Sequence, residues 1–230
     1  MMWNARIPLA TFVAVLVLSV ALAPWPSLVA RLLAGETGFV ELLTVALALW
    51  GVWVSIRIVL DRKRLPTPAL ALWYGLFAIG LFLLAGEEAS WGQSWFGWQT
   101  PEGYAAINRQ QETNLHNLHS AAESLPKALL VLAALFGGIV WPLVARRRNM
   151  GSVLPGVLGW IWPSTVIWPA AALTWVARLG ERVMVWTDME DLAYGQYDAL
   201  RECIELFAVL YVIAYLYNVR TRMAERAPRA

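Results

Sequence analysis

The chain has 230 residues, is 59% hydrophobic with mean hydropathy +0.54, and carries a formal charge of +2 from 18 basic and 16 acidic residues. Soluble globular domains average about 45–50% apolar residues, so the composition excludes that class. The single cysteine, Cys203, excludes an internal disulfide framework.

The apolar excess is concentrated in six runs, at about 7–23, 39–59, 69–85, 128–144, 153–176 and 203–219. A transmembrane helix needs about 20 apolar residues, with a range of roughly 17–25. The runs are continuous and do not alternate, which favours helices over barrel strands. A helix also satisfies every backbone amide within its own segment. The expected fold is therefore all-α: one polytopic transmembrane helical bundle over residues 1–230, with about six spans. The first run also fits a secretory signal, with Arg6 before a stretch ending Ala21-Leu22-Ala23, but Pro24 would directly follow the cut. Of the 14 tryptophans, Trp3, Trp25, Trp73, Trp95, Trp98, Trp141, Trp175 and Trp186 fall near expected span ends. There an amphipathic indole suits the headgroup layer.

Lys and Arg in short loops mark the cytoplasmic side. Twelve of the 18 basic residues fall on alternate connections: Arg6; Arg57 and Arg62–Arg64; Arg146, Arg147 and Arg148; and Arg220, Arg222, Arg226 and Arg229. Only Asp61 and Glu225 among the acids share that side, so the opposite face is strongly acidic. Both termini are expected in the cytoplasm of a bacterium, with the protein in its inner membrane and the functional face periplasmic. The prolines Pro155, Pro163 and Pro169 are expected to kink the fifth span.

Two long polar connections, 86–127 and 177–202, fall on the outer face and are expected to carry short helices. Loops of that length are uncommon unless functional or disordered. The first opens Gly86-Glu87-Glu88-Ala89-Ser90-Trp91-Gly92-Gln93, placing two carboxylates at the membrane edge. Ionisable groups there are costly and by default mark function. If the helix continued, Glu87 and Ser90 would share a face, with Glu88 about 100° away. The stretch from Ser94 to Trp98 reads as an interfacial or re-entrant piece. Thr100-Pro101-Glu102 reads as a helix start with Thr100 as cap.

Further on, Glu112, His116, His119 and Glu123 recur at spacings of 4, 3 and 4, one narrow helical stripe containing both histidines of the chain. Imidazole and carboxylate suit zinc or another first-row divalent metal. The second connection carries Asp191, Tyr194, Asp198, Glu202 and Glu205 at 3, 4, 4 and 3, with Arg201 beside them to pair with Asp198 or Glu205. Acids gathered in a low-dielectric setting must pair with a cation, bind metal or hold protons.

The strings Gly-Glu-Glu-x-Ser-Trp-Gly-Gln, Thr-Pro-Glu and Glu-Thr-Asn-Leu-His-Asn, over about residues 80–125, resemble a family of uncharacterised multi-pass bacterial membrane proteins. A fainter likeness is to the ceramidase-like and progestin-receptor-like intramembrane hydrolases. These combine a Glu-x-x-Ser element with an Asp and three zinc-binding histidines. Glu87-x-x-Ser90 is similar to the first element and His116 and His119 to two of the ligands. Glu202 and Glu205 stand where a late His-x-x-x-His would be, so a carboxylate would replace the third imidazole.

These features lead to the expectation of a membrane-embedded, metal-dependent enzyme, a hydrolase of a lipid or lipid-linked substrate at the outer leaflet. The metal, with zinc favoured, would be held by His116, His119, Glu88, Glu112, Glu202 and Glu205. Glu87, Glu88, Ser90, Gln93 and Arg201 are the candidate catalytic groups. Among them a carboxylate would serve as general base, and Arg201 or Gln93 would steady an oxyanion. Membrane lipids are the expected partners, and no nucleic acid is. The alternatives are a proton- or cation-coupled transporter and a non-enzymatic envelope assembly protein.

Overall fold

The computed structural model describes residues 6–22, 25–29, 33, 38–107, 113, 120–189 and 194–226. Among these every regular element is helical. Two short helices accompany the first long one: α1 (Arg6–Leu22) is followed by α2 (Pro26–Val29), and then comes α3 (Phe39–Leu60). A basic turn at Arg62–Arg64 leads into α4 (Leu70–Glu88). After a further turn come α5 (Gln93–Phe96) and α6 (Glu102–Ala105). Next, α7 (Ser120–Ala133) runs through a widened π-helical segment, Ala134–Val140, into α8 (Trp141–Arg147). The chain closes with α9 (Leu158–Ile161), α10 (Trp168–Trp186) and α11 (Tyr194–Glu225).

Three helices among the described residues are long and apolar enough to cross a membrane: α3 with 22 residues, α4 with 19, and the continuous Leu125–Arg147 helix with 23. At 1.5 Å per residue a 20-residue helix matches a hydrocarbon core of about 30 Å. These correspond to the second, third and fourth apolar runs. The chain is thus an all-helical protein with the character of a membrane protein.

The fifth run, 153–176, is not one helix. Trp162 and Ser164 are extended, with ψ of 139° and 148°, on either side of Pro163. A residue before proline is driven out of the helical region, and proline has no amide hydrogen to donate. A helix resumes only at Trp168, with Pro169 in its first turn, where a missing donor costs nothing. It then continues to Trp186, through a stretch the composition assigns to the outer polar connection. It can do so because its charges pair. Glu181, buried in the bundle, accepts a hydrogen bond from Arg178 at 2.9 Å and lies 3.7 Å from Arg182.

The last helix is the axis of the bundle. It has 32 residues, and every residue from Cys203 to Leu216 is buried, against α3, α10, α1 and α7. An all-round apolar helix is what a central position requires. α4 packs on α3. The π segment brings α10 close: a β-carbon added at Gly138 would stand 2.2 Å from the Ala171 Cβ, and one at Gly137 2.6 Å from the Tyr211 hydroxyl. That hydroxyl donates to the Ala133 carbonyl at 3.1 Å, inserting a side chain into the ladder where the helix widens.

Charge separates along the bundle axis. At one end Arg220 binds Asp61 at 2.7 Å, and the guanidinium groups of Arg222 and Arg226 each lie 4.7 Å from the Trp160 ring. The Trp160 carbonyl accepts hydrogen bonds from Tyr74 at 2.6 Å and Tyr215 at 2.7 Å, which pins the broken segment beneath α4 and α11. The acids gather at the opposite end, one α4 length away.

Candidate functional site

At the acidic end α4 stops at Glu88, and the chain reverses through three successive left-handed residues: Ser90 (φ 41°), Trp91 (φ 54°) and Gly92 (φ 90°). Two of these are not glycine, and such conformations are held only where surrounding structure enforces them. The enforcing contacts are visible. The Trp91 ring lies on Gly86, where an added β-carbon would stand 2.8 Å from it, and its indole N–H donates to Glu87 Oε1 at 2.8 Å. Phe82 meets the same ring nearly edge-on. Glu87 is thereby held on the outer side of the helix end, and Glu88, about 100° away, turns into the bundle. Since the helix ends at Glu88, the helical face that Glu87 and Ser90 would share does not form. Ser90 is buried in the reversal.

Gln93 acts as a clasp. Its Oε1 accepts the Thr113 amide at 2.7 Å and the Thr100 hydroxyl at 3.2 Å, and the Thr100 and Thr113 hydroxyls lie 3.0 Å apart. Thr100 therefore does not cap a helix: α6 starts at Glu102 with Pro101 in the cap position and no side-chain cap bond. A Gln93 carbonyl so engaged ties α5 to the Thr100 turn and to Thr113.

The structure brings Glu88 of α4 together with Glu202 and Glu205 of α11, one carboxylate oxygen of each lying within 4.8 Å of the others. Glu205 is buried and its Oε1 forms an ion pair with Lys127 Nζ of α7. Two unit charges at such a separation repel by roughly 3–4 kcal/mol even at an effective dielectric of about 20. The Lys127 ammonium alone does not balance three carboxylates. Arg201 lies on the exposed side of α11, electrostatically coupled to Glu202.

Below the cluster, between α4, α7 and α11, runs a groove of about 530 Å³. Its polar end carries Glu87, Glu88, Lys127 and Glu205; the rest of its lining is apolar, down to Trp73. Beside the polar end Trp91, Trp95 and Trp98 are exposed, and Phe96 stacks on Trp98 with centroids 5.8 Å apart.

Of the remaining sequence candidates, Glu112, His116, His119 and Asp191 lie outside the described residues, as do the side chains of Glu123 and Tyr194. Lys127 was not singled out by sequence pattern. Its signal was rarity: it is one of two lysines, at the head of an apolar run on the acidic side. Comparison of the chain with protein-family models, curated proteins and solved structures finds no match.

Proposed function

We propose that the chain is a membrane-embedded, metal-dependent hydrolase of a lipid or lipid-linked substrate, with the Glu88–Glu202–Glu205 cluster as its centre. The observation that carries this reading is the continuity of that cluster with an apolar groove. A polar, charge-rich end on a greasy channel suits a molecule that has a headgroup and a chain. The charge bias orients the acidic end toward the outside of a bacterial inner membrane, with both termini inside and about six spans.

The donor set refines the metal. Three carboxylates are hard oxygen ligands, which suit Mg²⁺ or Mn²⁺; zinc would call on His116 and His119 as well. Such an ion supplies a nucleophilic water near neutral pH and polarises the bond to be cut. Glu87, the fourth carboxylate at the groove's polar end, would accept the proton that water gives up and pass it to the leaving group, while the water oxygen bonds to the carbonyl carbon or phosphorus. Glu88, Glu202 and Glu205 would hold the ion, and the Lys127 ammonium at the groove's polar end would face the developing oxyanion. The indole shelf of Trp91, Trp95 and Trp98 borders the route by which a chain enters.

The deciding experiment is a lipid profile of a deletion strain complemented with the wild type or with Glu88→Gln. One lipid class accumulates with the variant and returns to normal with the wild type. Identical profiles overturn the reading. A proton- or cation-coupled carrier is the second reading, favoured by the helix break at Pro163. It requires ion flux in proteoliposomes that is lost in Glu205→Gln.

A further inference from the structure

The basic end of the bundle holds a second set of unbalanced charges, remote from the acidic cluster. Arg222 lies in the last turn of α11 and Arg226 directly follows the helix. Each guanidinium is 4.7 Å from the centre of the Trp160 ring, so the two are no more than twice that distance apart. The face of an indole attracts a cation, but it has no net charge and neutralises neither. Arg220 has Asp61 at 2.7 Å, whereas among the described residues no carboxylate pairs with Arg222 or Arg226. Glu225 stands between them in the chain, exposed, and acts on Arg222 only from a distance.

Arg222 is also incompletely satisfied inside the protein. Its Nη1 donates to the Gly159 carbonyl and its Nε to the Asn218 carbonyl at 3.4 Å, but Nη2 is buried with no acceptor. Buried polar groups in native proteins nearly always have a partner, and a guanidinium can only donate. The partner these two arginines lack is an anion. Arg226 is exposed and Arg222 half-buried, so an anion arriving from outside meets Arg226 first.

The surroundings decide where that anion comes from. Trp160 belongs to α9, whose Leu158 is 62% exposed, with Val157 and Trp162 exposed on either side of the helix. Tyr74 ties the Trp160 carbonyl to the start of α4, where Leu72 is 77% exposed and Trp73 also reaches the surface. Two apolar surfaces thus border the paired guanidinium groups. A soluble phosphate has no use for them. A phospholipid lays its chains along them and keeps its phosphodiester level with the arginines, whose planar forks match phosphate oxygens in shape as well as charge.

We infer that Arg222, Arg226 and Trp160 form a site for the headgroup of one anionic phospholipid, drawn from the leaflet at the basic end of the bundle. On the proposed orientation that leaflet is the cytoplasmic one. The site needs no reaction at the carboxylate cluster. Its effect is to fix the guanidinium that grips Gly159, and so to hold the short α9 against α11.

Native mass spectrometry of the full chain in mild detergent, at about 0.15 M salt, counts the lipid bound as it is titrated in. Charges more than about 8 Å apart are largely screened at that salt. The probes are dioleoyl phosphatidylglycerol, phosphatidylcholine with the same chains, and glycerol 3-phosphate. Phosphatidylglycerol is expected to form a one-to-one complex at concentrations where phosphatidylcholine does not, and glycerol 3-phosphate is expected not to compete. Arg226→Gln weakens that complex by about fivefold, the effect of one juxtamembrane arginine on an anionic headgroup. Lys63→Gln, which removes an equal and exposed charge from the same end, leaves it unchanged. Arg222→Gln weakens it further, but that variant also frees the Gly159 carbonyl, so Arg226→Gln carries the test. Equal binding of the two lipids, or equal losses in Arg226→Gln and Lys63→Gln, leaves only a diffusely positive face and overturns the inference. Competition by glycerol 3-phosphate overturns the lipid as its occupant.

Discussion

Lys127 on α7 and Glu205 on α11 form an ion pair that is unevenly buried: the carboxylate side chain is 8% exposed and the lysine 35%. The same Glu205 faces Glu88 and Glu202. Lys127 is therefore the cation that lets α11 carry an acid into the bundle, and it fastens α7 to the central helix. Lys127→Met leaves Glu205 among acids without it. Breaking a fully buried pair costs roughly 3–5 kcal/mol, and partial exposure of the lysine reduces this to about 1–3 kcal/mol. The expected outcome is a lower midpoint of thermal unfolding in detergent, partly recovered in Lys127→Met/Glu205→Gln. An unchanged midpoint in the single variant removes the pair from the account of stability.

At the opposite end the Trp160 carbonyl has two donors, and they are not equivalent. Tyr74 gives it one bond, whereas Tyr215 also reaches the Ile161 carbonyl at 3.1 Å and accepts from Trp73. Tyr74→Phe leaves Trp160 satisfied by Tyr215 and is expected to cost about 1 kcal/mol. Tyr215→Phe strands the Ile161 carbonyl and the Trp73 indole and is expected to cost about 2–3 kcal/mol. The double variant loses more than the sum, because the last donor to Trp160 goes with it. Thermal unfolding of the three variants checks the order; equal effects would mean that this knot does not anchor the broken segment.

How much of this was legible follows from the physical signals involved. Continuous apolar runs, the last of them carrying Pro142, gave the helices around Trp50, Ile79 and Leu130, because bilayer length and backbone satisfaction leave few alternatives. The acids at the ends of the third and sixth runs, Glu88 and Glu205, do meet, since an ionisable group beside an apolar run has to turn inward. Lys127 carried no periodic signal, because a lone cation on a third helix shares no spacing with the acids it serves. The fifth helix is displaced toward the C-terminus for two reasons. Pro163 forbids the early part, and the mutual neutralisation of Arg178, Glu181 and Arg182 is invisible to a residue-by-residue count of polarity. Thr100 resembled a cap, yet its hydroxyl found Gln93, a partner seven residues away in the chain.

Gly138 and Ala171 meet in a close helix contact. With a β-carbon at Gly138 only 2.2 Å from Ala171 Cβ, Gly138→Ala forces α10 away from the π segment. Overpacking of this kind costs about 1–3 kcal/mol. Ala171→Gly in the same chain makes room and is expected to recover most of the loss, beyond the helix propensity it sacrifices. Small residues that let backbones approach closely are a common basis of helix association in lipid. The check is the unfolding midpoint of both singles and the double; failure of Ala171→Gly to rescue would place the strain elsewhere.

The separation of charge predicts sidedness, and the lone cysteine makes it measurable. Cys203 is buried in the central helix, so Cys203→Ser gives a chain without a thiol and with little change in packing volume. Into that background a cysteine is placed at Lys63, in the basic turn between α3 and α4, or at Glu102, at the start of α6 beyond the acidic end. Both positions are exposed. On the proposed orientation, the end rich in Lys and Arg around residues 62–64 and 146–148 faces the cytoplasm. In intact spheroplasts a membrane-impermeant maleimide is therefore expected to label the Glu102→Cys chain and not the Lys63→Cys chain, with both labelled after permeabilisation. Labelling of Lys63→Cys from outside would invert the bundle. The carboxylate cluster would then open on the cytoplasm, and the substrate would have to be a lipid of the inner leaflet.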